Sequence, residues 1–167
     1  MPALFALATS VGVLAIIATW LFGVPLARWD AQVWIAFVAW GSHYHCGGKF
    51  KGTLDTIVCM SFGSLIGLLA IYLMPYLSAL GDFSGPIAVG LGATVIVLAS
   101  SISSLAAIAA SVYGFASIAG LWFLGMNNVF ESDAMPGIAL VPTIISIVVG
   151  ALFGIVSENV AGALTKK

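Results

Sequence analysis

The chain has 167 residues, of which 62% are hydrophobic and only 7% are charged, and its formal net charge is −1. A soluble domain carries roughly 25% charged residues. This chain lacks the polar surface that would face water on every side, so its composition excludes a soluble enzyme domain. It predicts an integral membrane protein whose main partner is the lipid bilayer. The sequence holds no long basic run, so no nucleic-acid partner is expected.

Six apolar segments follow one another along the chain, and a helix that crosses a bilayer needs about 20 mainly apolar residues. The first segment has no basic start and exceeds the roughly 7–15 apolar residues of a signal peptide, so we predict that it is retained. The apolar stretch Pro86–Gly125 would be about 60 Å long as one helix, twice the hydrocarbon thickness. We therefore predict that it folds back at the polar run Ala99–Ala106. The predicted spans are Ala3–Leu26, Ala31–Cys46, Thr53–Leu80, Pro86–Ser100, Leu105–Gly125 and Ile138–Val160.

The two halves of the chain carry related glycine patterns. Two Gly-xxx-Gly motifs, one in the third span and one in the sixth, are offset by 87 residues, about half of the chain. They comprise Gly63 and Gly67, and Gly150 and Gly154. Gly-xxx-Gly is common in membrane helices because it permits close packing, so chance could also produce two such motifs. We favour a true repeat of three spans plus three, in which the odd number of spans places the halves in opposite orientations.

The predicted fold class is therefore all-α: a polytopic membrane protein with six transmembrane helices and an inverted repeat. A single integral membrane domain covers residues 1–167, with halves at about 1–81 and 86–167. Because the chain is only 17.2 kDa, we also expect it to form a homo-oligomer.

Lysine placement predicts the orientation, because cytoplasmic loops of membrane proteins carry an excess of Lys and Arg. With six spans, four of the five basic residues lie on one side together with both termini: Lys49, Lys51, Lys166 and Lys167. Arg28 lies on the other side. We predict a multi-pass protein of the bacterial inner membrane with both termini in the cytoplasm.

The segment WGSHYHCGGKFKG, residues 40–52, joins the second and third spans. Imidazole and thiolate groups bind Zn, Cu and Ni, so His43, His45 and Cys46 form a candidate transition-metal cluster. The alternative is a cytoplasmic mouth, because residues two apart on a helix point to different sides and a histidine is stabilised near the negative end of a helix. We favour the mouth and keep the metal site as the alternative.

Acidic residues border this segment in sequence or in the predicted topology. We predict that Thr53 caps the third span and that Asp55 lies in its first turn, where the positive end of a helix stabilises an anion. Glu158 lies near the end of the sixth span, where a helix disfavours an anion. We predict that it lies at the inner interface near Lys49 or Lys51.

Aromatic side chains repeat every three or four residues along the second span and so share one helical stripe. The stripe comprises Trp34, Phe37, Trp40 and Tyr44. It indicates either an interfacial aromatic belt or the lining of a narrow slot. Hydroxyl groups concentrate at the predicted turn after the fourth span, where they bond to their own helix or line a wet space. The candidate pore or mouth residues are Trp34, Phe37, Trp40, His43, His45, Ser100, Ser103, Ser104 and Glu158.

Three features of the chain occur together: a short aromatic second span, the pair Gly47-Gly48 followed by Lys51-Gly52, and a glycine-rich third span. This pattern resembles the YcdZ-like domain-of-unknown-function family of small bacterial inner-membrane proteins. The similarity extends over nearly the whole chain in length and span order, and it departs from the family around residues 43–46. The resemblance implies a six-span inner-membrane protein and brings no activity and no functional residues.

The sequence contains no nucleophile elbow, no HExxH motif and no paired carboxylates within a span, so we expect neither an enzyme nor a bound cofactor. The predicted function is a membrane channel or facilitator for a small neutral solute such as urea, ammonia or a short amide. One alternative is a transition-metal cation transporter that uses His43, His45 and Cys46. A second is a structural or assembly subunit of a larger membrane complex.

Overall fold

The computed structural model describes residues 1–124 and 135–165, and these two ranges contain helices and no β-strand. They hold six α-helices, labelled α1 to α6 in chain order. The bounds are α1 Ala3–Gly23, α2 Val33–His45, α3 Lys49–Leu73, α4 Ser84–Ala99, α5 Ile108–Phe123 and α6 Leu140–Thr165. The all-α class predicted from the sequence is confirmed.

Short 3₁₀ segments and one glycine turn connect the helices. The segments Ala27–Trp29 and Ser103–Leu105 precede α2 and α5. Met74–Phe83 joins α3 to α4. Between α2 and α3, Gly47 and Gly48 have φ values of +91° and +69°, in the left-handed region that favours glycine, so this turn reverses the chain within a few residues.

Apolar helices of membrane-spanning length are confirmed. Three stretches of the described residues are long and apolar enough to cross a membrane: Ala3–Gly23, Lys49–Ala99 and Pro136–Thr165. α5 is a shorter apolar helix. α2 has only 13 residues, which is about 20 Å of helix against a hydrocarbon thickness of about 30 Å.

The core lies among α2, α3, α5 and α6. Its largest fully buried side chains include Ile35 of α2, Met60 of α3, Ile118 of α5 and Ile147 of α6. α1 packs on the outer side of α6 and α4 on the outer side of α3. Helices from both halves of the chain therefore share one hydrophobic core.

α2 lies beside α6 and runs in the same direction. At the start of α2, the Gln32 backbone N–H donates to Ser146 Oγ at 2.8 Å. One turn later, the Ala36 backbone lies so close to Gly150 that a Cβ there would overlap the Ala36 carbonyl group. From the first contact to the second, each helix advances by four residues toward its C-terminus, so α2 and α6 are parallel.

α3 and α5 form a second parallel pair of the same kind. A Cβ at Gly63 would overlap the Ser111 carbonyl group, and a Cβ at Gly67 would lie 2.6 Å from Ile118 Cγ2. The other helix also contributes a glycine: Gly114 of α5 lies against the backbone of Met60 of α3. At Gly63 and Gly114 the overlap is with backbone atoms, so a side chain at either position would separate the helices.

The two parallel pairs use corresponding positions. Gly63 contacts Ser111 in the α3–α5 pair, and Gly150 contacts Ala36 in the α2–α6 pair. One turn later, Gly67 contacts Ile118 and Gly154 contacts His43. In both comparisons the two glycines are 87 residues apart in sequence, and the two residues that they contact are 75 residues apart. The predicted packing glycines therefore act inside the chain, at the same places in both halves.

Several predicted features differ from the structure or lie outside the described residues. α3 begins at Lys49, one turn earlier than the predicted start at Thr53, because the Gly47-Gly48 turn already reverses the chain. Asp55 therefore lies beyond the first turn of α3, whereas the sequence predicted it within that turn. The α-helix also ends at Leu73 and not at Leu80, because the segment Met74–Phe83 is 3₁₀. Most of the predicted loop between the fifth and sixth spans, and the residues Lys166 and Lys167, lie outside the described residues.

We expect Gly63→Ala and Gly150→Ala each to lower the free energy of unfolding by about 1–3 kcal/mol or more, because the added methyl group forces two backbones apart. Unfolding by SDS in mixed micelles, followed by circular dichroism, measures this change. The control is Gly12→Ala in α1, where a Cβ would meet nothing within 4 Å. It should be neutral or stabilise by up to about 1 kcal/mol. Equal effects at all three positions would contradict the proposed close packing.

Candidate functional site: a buried polar cluster at the α2–α3 turn

His43, in the last turn of α2, is fully buried and has hydrogen-bonding partners on both ring nitrogens. Its Nε2 lies 3.1 Å from Glu158 Oε2 of α6. Its Nδ1 lies 3.0 Å from Thr53 Oγ1 of α3. One side chain thus joins three helices, and the ring also packs against Gly154, where no Cβ fits.

The hydrogen-bond directions follow from the donors available. An ionised Glu158 only accepts, so His43 Nε2–H donates to it. If the ring is neutral, the Thr53 hydroxyl donates to Nδ1. If the ring is protonated, Nδ1–H donates to Thr53 Oγ1, whose proton then goes to the Lys49 carbonyl oxygen at 3.1 Å. Both protonation states of His43 keep both ring nitrogens hydrogen-bonded.

Glu158 also binds the first turn of α3. Its Oε2 accepts the Lys49 backbone N–H at 2.6 Å, at the positive end of that helix. Gly48 makes room for the carboxylate, since a Cβ there would lie 3.0 Å from Oε2. Glu158 therefore caps α3 from α6, a role that the sequence assigned to Thr53. The predicted proximity of Glu158 to Lys49 is found, through the backbone of Lys49.

Ser157 is the second centre of the cluster. The Trp40 indole N–H donates to Ser157 Oγ at 2.9 Å, and the Tyr44 hydroxyl lies 2.7 Å from the same oxygen. Ser157 directs its own proton to the Gly154 carbonyl oxygen at 2.7 Å, so Tyr44 is the donor in their contact. From α1, Ser10 donates to the Ser157 carbonyl oxygen at 2.8 Å. Together with Thr53 of α3, which bonds to His43, the helices α1, α2, α3 and α6 meet at this polar cluster.

The predicted metal ligands do not converge. His43 faces α6, whereas the exposed His45 places Nδ1 2.9 Å from the Tyr113 hydroxyl of α5. Cys46 Sγ lies 4.0 Å from Ser42 Oγ. Within residues 1–124 and 135–165, no group of three or more His, Cys, Asp or Glu side chains could hold a metal ion.

The aromatic stripe of α2 divides between two neighbours. Trp40 is buried and stacks on Phe153 of α6 at 5.5 Å between ring centroids. Phe37 stacks on Trp40 at 6.1 Å but is largely exposed. Trp34 packs instead against Gly120 of α5, and its buried Nε1 has no hydrogen-bond partner among the described residues. Only Trp40 and Tyr44 of the stripe join the polar cluster.

The serines of the α4–α5 turn lie apart from the cluster. Ser100 donates to the Val97 carbonyl oxygen of its own helix end. Ser103 and Ser104 are exposed, and the Ser104 carbonyl oxygen lies 3.5 Å from Cys59 Sγ on α3. These hydroxyl groups therefore do not share a site with His43.

Sequence reasoning missed Ser157, Ser10 and the inter-helix role of Thr53. A signal for Ser157 exists: with Gly150 and Gly154 it falls at spacings of four and three residues, which place all three on one face of α6. A hydroxyl on the face that carries the packing glycines must bond within the protein.

Fold and site together define an all-α protein with apolar helices of membrane-spanning length and one polar cluster enclosed between them. Residues 8–162 match the family described as protein of unknown function, DUF1097. The match covers most of the chain, which therefore belongs to this family. No curated protein and no solved structure matches the chain.

We expect Glu158→Gln to lower the free energy of unfolding by about 1–3 kcal/mol, because it weakens two hydrogen bonds to a carboxylate. With His43→Gln and the double variant, a double-mutant cycle in mixed micelles should give a coupling energy of about 0.5–3 kcal/mol. Asp55→Asn is the control. Asp55 pairs only with the exposed Lys51 one turn away, and such pairs contribute about 0.3–0.5 kcal/mol. Additive effects of the His43 and Glu158 substitutions would contradict their contact.

Proposed function

We propose that this protein is a membrane channel or facilitator for a small neutral solute such as urea, ammonia or a short amide. The single observation that carries the proposal is the polar cluster around His43 and Ser157. In an otherwise apolar bundle, ionisable side chains are expensive and mark solute or proton pathways. The cluster supplies donors and acceptors for hydrogen bonds where helices of both halves meet.

The charge balance of the cluster favours a neutral solute. It holds one carboxylate, Glu158, and one imidazole, His43, which offset each other when the ring is protonated. Ion selectivity usually rests on rings of charged side chains or of backbone carbonyls, and the described residues contain neither. The glycine contacts also hold the helices too close together for a broad water-filled lumen.

Transition-metal transport through His43, His45 and Cys46 has weaker support. The two histidines face different helices, and a structural zinc site takes four converging ligands. A facilitator needs only hydrogen-bonding groups along its path. We therefore rank the facilitator first.

For the fold, we propose that all six helices cross the membrane, as two three-helix halves of opposite orientation. The parallel pairs α2–α6 and α3–α5, with their matching glycine contacts, support this arrangement. The short α2 would then reach one surface through its connection to α1. We further propose that the chain is related to the YcdZ-like proteins and lies in a bacterial inner membrane with both termini in the cytoplasm.

The proposed topology gives defined labelling by a membrane-impermeant maleimide. In a background with Cys46→Ser and Cys59→Ala, we expect Lys51→Cys and Lys167→Cys to react only after the cells are permeabilised. Asp82→Cys, in the exposed connection between α3 and α4, should react in intact cells and serves as the positive control. Labelling of Lys51→Cys and Lys167→Cys on opposite faces would contradict the six-span arrangement.

The proposed activity is tested by stopped-flow measurement of urea, ammonia and formamide flux into proteoliposomes. We expect flux above that of empty liposomes for at least one solute. Ser157→Ala should lower it by about tenfold, because the substitution leaves the Trp40 and Tyr44 donors without their acceptor and such unpaired groups cost about 1–3 kcal/mol.

The matched control for this flux assay is Ser117→Ala. Ser117 is also a buried serine, but it bonds only to the Tyr113 carbonyl oxygen of its own helix at 2.8 Å. Its flux should equal that of the unmodified protein. Rates equal to empty liposomes for all three solutes would contradict the facilitator and favour a structural or assembly subunit.

A further inference from the structure

A cleft between α1 and α6 opens directly beside the polar cluster. Its volume is about 280 Å³, and it is lined by Ala3, Leu7, Tyr44, Glu158, Ala161 and Thr165, together with Gly162. Pockets for drug-sized ligands measure roughly 300–1,000 Å³, so this cleft suits a smaller molecule. Its walls are mainly apolar, and the polar side chains of Tyr44, Glu158 and Thr165 contribute to its lining.

None of these three polar side chains has a hydrogen-bond donor that is free for a ligand. The Tyr44 hydroxyl donates to Ser157 Oγ, whose own proton goes to the Gly154 carbonyl. The Thr165 hydroxyl donates to the carbonyl oxygens of its own helix. An ionised Glu158 has no proton to give. The side chains therefore offer the cleft only hydrogen-bond acceptors.

One carboxylate oxygen of Glu158 is hydrogen-bonded within the protein, and the other is available to a ligand. Its Oε2 accepts from His43 and from the Lys49 backbone. Its Oε1 accepts no hydrogen bond from any described residue, and about a third of the side chain is exposed. A carboxylate oxygen at the edge of an apolar cleft favours a donor that carries positive charge, because charge-assisted hydrogen bonds are about twice as strong as neutral ones.

The corresponding cleft in the other half of the chain has no such chemistry. It lies between α3 and α4, has a volume of about 200 Å³, and is lined only by apolar residues. At the offset of 87 residues, Ala70 and Ile71 correspond in sequence to Ser157 and Glu158, and Ala70 lines this cleft. Because α4 packs on α3 without polar residues, the packing of α1 on α6 does not require them either. The hydrogen-bond acceptors of the α1–α6 cleft are therefore not explained by helix packing.

We propose that the α1–α6 cleft binds a small ligand that donates N–H hydrogen bonds, of the ammonium, primary-amine or primary-amide class. Glu158 Oε1 and the lone pairs of the Tyr44 hydroxyl accept these bonds, while Leu7 and the alanines contact the carbon side of the ligand. The proposed function concerns neutral solutes, so binding of an ammonium group in this cleft goes beyond that function. As a binding site, it stands independently of flux.

The test measures saturable binding of radiolabelled methylammonium to the purified full-length protein in phosphatidylcholine nanodiscs at pH 7. We expect Glu158→Gln to weaken binding by at least about tenfold, because the charge-assisted acceptor is lost. Asp55→Asn removes a carboxylate that is already paired with Lys51, and it should leave binding unchanged. No saturable binding to the unmodified protein, or equal losses in both variants, would overturn the site.

A second variant separates ligand binding from folding of the cluster. Leu7→Trp fills the cleft from α1 and leaves the side chains of His43, Thr53 and Glu158 unsubstituted. It should abolish binding while the melting temperature stays unchanged. Leu4→Trp, at a largely exposed position of the same helix, should bind as the unmodified protein does. Normal binding in Leu7→Trp would overturn the placement of the site.

Two further arms identify the ligand source and separate this inference from the flux proposal. Competition by phosphatidylethanolamine in the nanodiscs would support the site with a lipid amine as its occupant, and competition by urea would support it with a soluble solute. Flux that fails while methylammonium still binds would overturn the facilitator alone. Flux that persists without methylammonium binding would overturn the cleft site alone.

Discussion

The close backbone contact between α2 and α6 is the constraint on which the polar cluster depends. At Gly150 a side chain would overlap the Ala36 carbonyl group, and at Gly154 it would meet the ring of His43 at 2.6 Å. Because α2 can approach to this distance, His43 reaches Glu158 on the next turn of α6. His43 and Ser157 are fully buried, so their polar groups must find hydrogen-bonding partners within the protein. Small residues thus determine where the polar chemistry lies.

The same packing occurs twice, but the polar cluster occurs once. In the contact between α3 and α5, the place of His43 is taken by Ile118, which is also fully buried. The glycines persist in both halves because both pairs of helices need backbone contact. Since one half packs well with an apolar residue at this place, packing alone does not explain a histidine there. The asymmetry separates residues that build the fold from residues that contribute something else.

Composition and the lengths of the apolar runs were enough to predict the all-α class and apolar helices of membrane-spanning length. The contents of the site were harder to predict. The start of α3 depends on a turn at Gly47-Gly48, and its cap comes from a residue 109 positions away. Likewise, His43 and His45 look equivalent in sequence, but one faces α6 and the other α5. Local patterns determine the helices, whereas these partners depend on which helices become neighbours.

The contact between His43 and Glu158 is a weak source of stability relative to an apolar alternative. Replacing a buried ion pair by well-packed apolar residues is often neutral or stabilising, and Ile118 in the other half is such an apolar residue at the matching position. What the polar version adds is a histidine whose two nitrogens remain bonded whether or not the ring carries the extra proton, since Thr53 can donate or accept. It also holds a carboxylate whose Oε2 is bound and whose Oε1 accepts no hydrogen bond from a described residue. A charged acceptor fixed in position, beside a ring that tolerates a change of protonation, is a property that isoleucine cannot supply.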